Sequence, residues 1–238
     1  CTGGLAPEDV PIVTPSDYES YASYLLNADG TITDQSDGKV YSYASSNWTS
    51  SGGSTGDGNA AFGDIKYVTT GNANIKSWKF QGTNIADGMY YAKMDASTWS
   101  ASTWKGNINI FQVPDPWTVT LLADGWIDFQ SNGTIVNFES ADAAHTDDID
   151  SLLFIAGTDL KFSGTPANTI QGIIACGEQI DVSSNVTLSG YMVASDASSD
   201  DDKVTANQIS GNMTITYNGN VTAPFLSNKV IVLSWQEI

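Results

Sequence analysis

Oxygen-bearing side chains concentrate around a glycine turn in residues 27–38, NADGTITDQSDG. Carboxylate and amide oxygens at such spacings suit Ca²⁺, which is a hard cation. The segment therefore predicts a calcium site with four candidate ligands, Asn27, Asp29, Asp34 and Asp37. It does not match an EF-hand loop, because no bidentate Glu follows at the required place and Leu25 would occupy the first ligand position. Polar turns that only increase solubility are the alternative.

Carboxylate pairs are a second kind of candidate chemistry. Asp124 with Asp128, or Asp159 with Asp181, could face one groove and act together as the acid and base of a glycoside hydrolase. Such pairs are expected by chance among 27 acidic residues. The only histidine, His145, lies among Ala, Thr and Asp residues, where a solvated side chain is a better interpretation than a catalytic triad. We therefore predict that the protein is not an enzyme.

The two cysteines, Cys1 and Cys176, provide no spacing for zinc, haem or a redox pair. The start CTGG is typical of what lipoprotein signal cleavage leaves, which predicts a diacylglycerol thioether on Cys1. A disulfide between Cys1 and Cys176 is the alternative. Both interpretations predict an exported protein, extracellular or on the cell surface.

Three tryptophans lie in polar surroundings, namely Trp48, Trp99 and Trp104. Exposed indole rings could stack on neutral glycans. Packing in the core or a contact between subunits would explain the same residues. A carbohydrate-binding adhesin is therefore one alternative function, and a β-helix glycanase is another.

The charge of the chain excludes several partners. It has 27 acidic residues against nine basic ones, all of them Lys, and a formal net charge of −18. This charge repels phosphate backbones, and without Arg there is no bidentate fork for phosphate or guanine, so nucleic-acid binding is not expected. Anionic membrane surfaces are also disfavoured, which leaves a lipid on Cys1 as the expected route to a membrane.

Short runs rich in Val, Ile, Thr, Tyr, Phe and Trp dominate from about residue 62 and predict strands. One short helix is predicted over 15–26, with Tyr18, Tyr21 and Leu25 on one side. Residues 47–59, rich in Gly and Ser, predict an exposed loop, and 195–203 predict another. The chain thus divides into an N-terminal arm, helix and loop (1–61) and a β-domain with a C-terminal strand (62–238).

An alanine recurs at fixed spacing through the β-domain. Ala156, Ala175 and Ala194 follow one another at steps of 19 residues, and Ala123 precedes them. In a parallel β-helix one inward position recurs once per coil, so the pattern predicts a β-solenoid. Phe129, Phe162 and Val182 predict a second aligned row, residues 89–92 an earlier coil, and 139–148 an insertion loop. An antiparallel β-sandwich is the alternative.

The repeat style extends over roughly residues 87–218, through the segments 87–92, 117–135, 152–164, 170–194 and 209–218. In this order the segments resemble the ectodomains of PilX-like accessory proteins, which are associated with type IV pili and similar surface filaments. The resemblance implies a β-solenoid with a structural or adhesive role. That family carries an N-terminal apolar helix, whereas nothing of the kind precedes Cys1. We therefore expect the helix to have been cleaved off, or attachment by lipid, disulfide or strand exchange.

Both ends of the sequence predict extended segments. Residues 228–238, NKVIVLSWQEI, are strongly β-forming, and residues 5–15 contain several prolines. The C-terminal segment has three possible destinations: a cap on its own coil, an edge strand of its own sheet, or a strand donated to a neighbouring subunit. We expect contact with copies of the chain or with other filament subunits.

Overall fold

The computed structural model describes residues 14–70, 75–94, 106–139, 151–164, 168–195 and 203–217. Strands make up most of these residues, so the predicted all-β class is confirmed. The described helices are a 3₁₀ helix, Pro15–Tyr21, and a single turn, α1, Asn59–Phe62. The described strands belong to two sheets.

Sheet A has eleven strands. They are β1 (Tyr24–Leu26), β2 (Ile32–Asp34), β3 (Val40–Ala44), β4 (Asn47–Ser50), β7 (Gly88–Ala92), β9 (Trp117–Ala123), β11 (Thr134–Val136), β12 (Leu152–Ala156), β14 (Asn168–Cys176), β16 (Val186–Ala194) and β18 (Met213–Thr216). Sheet B has seven strands. They are β5 (Ile65–Thr70), β6 (Ile75–Gln81), β8 (Asn107–Gln112), β10 (Ile127–Phe129), β13 (Leu160–Phe162), β15 (Ile180–Val182) and β17 (Gln208–Ile209).

Parallel pairing dominates both sheets. From β7 onward the chain passes alternately between sheets A and B, and each strand pairs in parallel with strands from the preceding and following passes. β11 and β12 both pair with β9 and β14, so they form two parts of one rung. Antiparallel pairing in the described residues is confined to β1–β4 and to β5–β6. The predicted insertion at 139–148 lies outside the described residues except for Glu139.

The alanine row exists, but its register differs from the predicted one. Ala123 pairs with Ala156, Ala156 with Cys176, and Cys176 with Ala194, whereas Ala175 pairs with Ile155. The register of β12 against β14 shifts between Leu152 and Phe154, and Cys176 takes the place expected for an alanine. Placing Ala175 in this row was therefore wrong by one residue.

The other predicted rows are confirmed. Phe129 pairs with Phe162, and Phe162 with Val182. Residues 89–92, predicted as an earlier coil, lie in the strand β7, in which Ala92 pairs in parallel register with Ala123. These inward residues fill an inner core between the two sheets, where the Phe129 and Phe154 rings lie 5.7 Å apart.

A second apolar layer covers the other face of sheet A, and we call it the outer cluster. It includes Tyr18 from the 3₁₀ helix together with Leu122, Ile155 and Ala175 from the sheet. Both faces of this sheet are therefore buried here. Each large side chain buried in this way contributes roughly 1.5–3 kcal/mol relative to an exposed one.

The predicted helix over 15–26 is correct only in its first part. The 3₁₀ helix ends at Tyr21, and Tyr24–Leu26 is the strand β1, which pairs in parallel with residues 90–92 of β7. The helix does not continue to Leu26 because residues 24–26 form strand pairs with β7 instead. Among the described residues, no helix has the length and apolar character needed to cross a membrane.

The N-terminal end of the stack is closed by residues predicted as an exposed loop. Trp48 lies on β4 and is 0% exposed; its ring stacks on Trp78 of β6 at 6.3 Å. Its indole Nε1 donates to the carbonyl of Ile65 on β5 at 2.9 Å, which links the last strands of the two sheets. Phe62 of α1 packs beside it. The loop prediction for 47–59 is thus wrong for 47–50, because long-range packing outweighs the polar composition of the segment.

Candidate functional site

A row of polar residues runs along the outer face of sheet B. Since alternate residues of a strand point to opposite faces, the inward rows of this sheet leave the intervening residues outward. In register, these are Asn109, Asp128, Lys161, Asp181 and Gln208. We call this set the polar row. Within it, the Lys161 ammonium lies 3.0 Å from the Asp181 carboxylate, which is almost completely buried.

Lys203 contacts the polar row at Asp128. Its Nζ lies 2.9 Å from Oδ2 of Asp128 and 4.3 Å from the centre of the Trp126 ring. The Asp128 carboxylate also accepts hydrogen bonds from Ser163 and Gln130 at 3.0 and 2.9 Å. Because this carboxylate is paired and hydrogen-bonded on both oxygens, its burial is compensated. The cluster ties β10 to the residue that follows β13 and to Lys203.

Asp159 binds the backbone of the segment that contains Lys203. It is 0% exposed, and its carboxylate accepts three backbone N–H groups, from Gln179 at 3.1 Å, Lys203 at 2.7 Å and Val204 at 2.9 Å. A carboxylate that accepts several N–H bonds is held in one orientation. Residues 203–204 are therefore held against the turn before β13 that contains Asp159.

The predicted carboxylate pairs do not share partners. Asp124 accepts from the Tyr91 hydroxyl at 2.6 Å and from the Met94 N–H at 2.8 Å, while Asp128 lies in the polar row. Burial raises the pKa of Asp124, although the hydrogen bonds from Tyr91 and Met94 act in the opposite direction. Asp159 and Asp181 likewise have separate partners. These side chains serve as structural acceptors in the described residues.

The predicted calcium ligands, Asn27, Asp29, Asp34 and Asp37, lie in or beside the turns between β1 and β3. Each of the three carboxylates accepts the backbone N–H two residues farther along the chain, at 2.9–3.0 Å. Hydrogen bonds from Lys39 lower the pKa of Asp37, and its carboxylate forms an exposed ion pair with that ammonium. In the part of the chain that the structure describes, no three His, Cys, Asp or Glu side chains are grouped so as to hold a metal ion. Calcium binding stays a prediction without a convergent set of ligands.

Cys176 is a free cysteine of the inner core, 2% exposed, and its Sγ donates to the Gln179 carbonyl at 3.4 Å. Burial raises the pKa of its thiol to about 12. The predicted disulfide with Cys1 is not tested by the described residues and stays a prediction. Cys1 itself lies outside the described residues, and its lipidation stays a prediction.

One of the three tryptophans predicted to stack on glycans is not accessible to a ligand. Trp48 is buried at the closed end, because its indole fills the space between β4 and β6. Trp99 and Trp104 lie outside the described residues, as does His145. Glycan binding through these two tryptophans stays a prediction.

The C-terminal end of the stack differs from the closed end. β18 and β17 are the last described strands of sheets A and B, and among the described residues β18 pairs only with residues 186–189 of β16. Ile215 is 48% exposed and Ile209 is 58% exposed, although both continue inward rows. A cavity of about 300 Å³ opens here, lined by Ile180, Met192, Ala194, Asn207, Gln208 and Ile209. We call this region the open end.

The comparisons with known proteins give no family for the chain. No protein-family model matches it. No curated protein and no solved structure matches it either. The resemblance to PilX-like ectodomains therefore stays a prediction from the sequence.

Proposed function

We propose that this chain is an exported structural protein, a parallel β-solenoid that serves as a subunit or accessory component of a pilus-like extracellular filament or cell-surface layer. The observation that carries the proposal is the set of contacts that four acidic side chains make within the protein. Asp124, Asp128, Asp159 and Asp181, which catalysis or ligand binding would leave accessible, hold neighbouring segments together instead. Such ties favour a rigid body over an open reaction site.

The pairing of the strands supports the solenoid architecture. Between β14 and β16 nine consecutive pairs are in parallel register, and the rows of inward residues continue through β9 and β12. In a solenoid each coil contacts only its neighbours, so a long and stiff body can be built from a short repeat. This shape suits a filament or surface-layer component.

The proposed partners are copies of the chain or other filament subunits, and the proposed location is outside the cell. A lipid on Cys1 would provide the attachment to a membrane. The acidic surface keeps a displayed protein soluble and favours contacts that do not depend on anionic ligands.

Paired cysteines test the architecture. Gln171→Cys with Ser189→Cys, in a Cys1→Ser background, should form a disulfide, because the two residues pair in register on neighbouring strands. Gln171→Cys with Leu188→Cys is the matched control, since those side chains point to opposite faces. Equal cross-linking of both variants would contradict parallel coils.

Localisation tests the function. Immunogold electron microscopy on cells of the source organism should place the protein on surface filaments or on the cell surface. A reducing-sugar assay and a glycan array distinguish the alternatives, a glycanase and an adhesin. Hydrolysis of a glycan that is lost in Asp181→Asn, or tight binding of one neutral glycan, would replace the structural proposal.

A further inference from the structure

We infer that Asn132, Asn185 and Asn212 are acceptor sites for N-linked glycans, arranged as a row along one edge of sheet A. The inference rests on the exported location in the proposed function, because Asn-linked sugars are added to secreted proteins. Each of the three residues begins an Asn-x-Thr sequence, the motif that an oligosaccharyltransferase recognises. In that transfer the amide Nδ2 bonds to C1 of the first sugar, the bond from C1 to a lipid-linked phosphate breaks, and one amide proton is released.

The fold brings the three motifs into register. Each Asn lies in a connection that leads from a strand of sheet B to a strand of sheet A, and its Thr lies on that strand, in β11, β16 or β18. Thr134 pairs with Thr169, Thr169 with Thr187, and Thr187 with Thr214. We call these four residues the threonine row. Since each Asn stands two residues before its Thr, the three acceptors lie at equivalent places before their strands.

Both side chains of each motif are accessible from outside. Asn132, Asn185, Asn212, Thr187 and Thr214 are exposed, and Thr134 is partly exposed. In two of the motifs the residue between Asn and Thr, Val186 or Met213, packs in or against the inner core. Alternate residues of an extended chain point to opposite faces, so the Asn and the Thr on either side of it point outward together. An enzyme could therefore engage both side chains at once.

The backbone of these connections does not explain the asparagines. Asn is common in turns partly because it tolerates the left-handed conformation, with positive φ. Among the described residues other than glycine, those with positive φ are Ser45, Ser46 and Ser151. The three acceptor residues thus have a conformation that most residues adopt. The recurrence of Asn with Thr at these places is better accounted for by the motif than by the turn.

A fourth motif, Asn47-Trp48-Thr49, provides a contrast within the same molecule. Nδ2 of Asn47 donates to a backbone carbonyl at 2.9 Å, and its Oδ1 accepts from Asn59 at 2.8 Å. Oγ1 of Thr49 accepts a backbone N–H at 3.1 Å, and Trp48 between them is fully buried. The folded chain cannot present this motif to an enzyme, so we expect Asn47 to stay unmodified. A fifth motif, at Asn220, lies outside the described residues.

Glycopeptide mass spectrometry of the full-length protein, recovered from the surface of the source cells, tests the assignment. We expect sugar mass on Asn132, Asn185 and Asn212 and an unmodified Asn47. Surface protein in which the three acceptors are unmodified, or in which Asn47 is modified to the same extent, would overturn the inference and leave the proposed function standing. Recovery of the protein from the cell interior alone would overturn both.

Substitution of threonines, in protein produced by the source cells, separates the motif from a structural role. Thr187→Val removes the motif of Asn185 but keeps the β-branched shape at an exposed position, so the intact mass should fall by one glycan. Thr187→Ser preserves the motif and should keep that glycan. Thr169→Val is the matched control, because Thr169 is exposed in the same row but Ala167 stands two residues before it. An unchanged glycan mass in Thr187→Val, or an equal loss in Thr169→Val, would overturn the inference.

Discussion

Asp159 is a single residue on which two segments of the chain depend. It accepts N–H groups from Gln179, Lys203 and Val204 while fully buried. In Asp159→Ala these N–H donors lose their acceptor while they remain buried. We therefore expect the free energy of unfolding to fall by about 2–4 kcal/mol. Urea unfolding followed by circular dichroism measures the change. Asp37→Ala removes an exposed turn acceptor and serves as the control; equal losses in the two variants would contradict the role given to Asp159.

Gly190 of β16 pairs directly with Gly172 of the neighbouring strand β14. A Cβ at Gly190 would collide with the backbone carbonyl of Gly172, and its φ of +155° disfavours other residues. We expect Gly190→Ala to lower the free energy of unfolding by about 2–4 kcal/mol, from clash and strain together. Gly38→Ala also has a positive φ, but nothing lies within 4 Å of the added carbon. The difference between the two variants in urea unfolding measures the clash together with the greater backbone strain at the φ of Gly190, and no difference would show that β14 and β16 do not approach so closely.

Cys176 makes stability depend on alkaline pH. Burial raises the pKa of its thiol from 9.0 to about 12, so its contribution is complete below pH 9, where both folded and unfolded states hold the proton. Between pH 9 and 12 the unfolded chain ionises first, and the free energy of unfolding falls by up to about 1.4 kcal/mol per pH unit. Comparison with Cys176→Ala isolates this slope from other titrating groups. Identical slopes, or rapid labelling of Cys176 by a thiol reagent in the native Cys1→Ser protein, would contradict a buried thiol.

Among the strands, the alanine row shows which part of the pairing could be predicted from the sequence. The spacing predicted parallel rungs that include Ala156 and Ala194, and β12 and β16 both pair in parallel with β14. The phase at Ala175 could not be predicted, because both faces of this sheet are buried. A strand that is apolar on both sides reads as a continuous apolar run and loses the alternation that fixes register.

Other elements depend on contacts distant in sequence. Trp48 lies in a segment rich in Gly, Ser and Thr, whose composition predicts a loop, yet Trp78 and Ile65 position it in the core. β1 is a strand because β7 offers an edge to residues 24–26, which no local pattern could indicate. Among the candidate site residues, the sequence pointed to Asp128 and Asp181 but not to Lys203, whose partner lies 75 positions earlier.

We expect residues 203–204 to stabilise sheet B by holding Asp128 and Asp159, which belong to different parts of the chain. In Lys203→Met the ammonium is lost from Asp128, a carboxylate whose side chain is only 3% exposed. Removing one partner of a buried pair is costly, but Ser163 and Gln130 still donate to Asp128 and Lys203 is partly exposed, so we expect a loss of about 1–3 kcal/mol. Lys39→Met breaks an exposed pair with Asp37 and should change the unfolding free energy little. Equal effects of the two substitutions in urea unfolding would contradict a stabilising role of the Lys203–Asp128 pair.

At the scale of the whole molecule, the two ends differ in how they finish the stack. At the closed end the antiparallel strands β1–β4 and β5–β6 end the parallel pairing of both sheets, and Trp48 joins them. At the open end the last residues of the inward rows are Ile209 and Ile215, which are exposed. In the proposed solenoid each coil contacts only its neighbours, so stability is a sum of local contributions and a weak end does not have to weaken the far coils.

This asymmetry predicts a gradient of hydrogen exchange along the stack. Amides of β9, β12 and β14 lie in rungs paired on both sides with inward residues fully buried, so their exchange requires the largest opening. Amides of β17 and β18 border the open end, where Ile209 and Ile215 are half-exposed, so local opening suffices. Hydrogen exchange of the native protein, read by mass spectrometry of peptic fragments, should show β17 and β18 exchanging at least tenfold faster than β9. The strands β4 and β6 provide the comparison at the other end and should be protected, because Trp48 and Trp78 cover that end of the core. If β17 and β18 exchange as slowly as β9, the molecule opens only as one unit, and the independence of its coils is wrong.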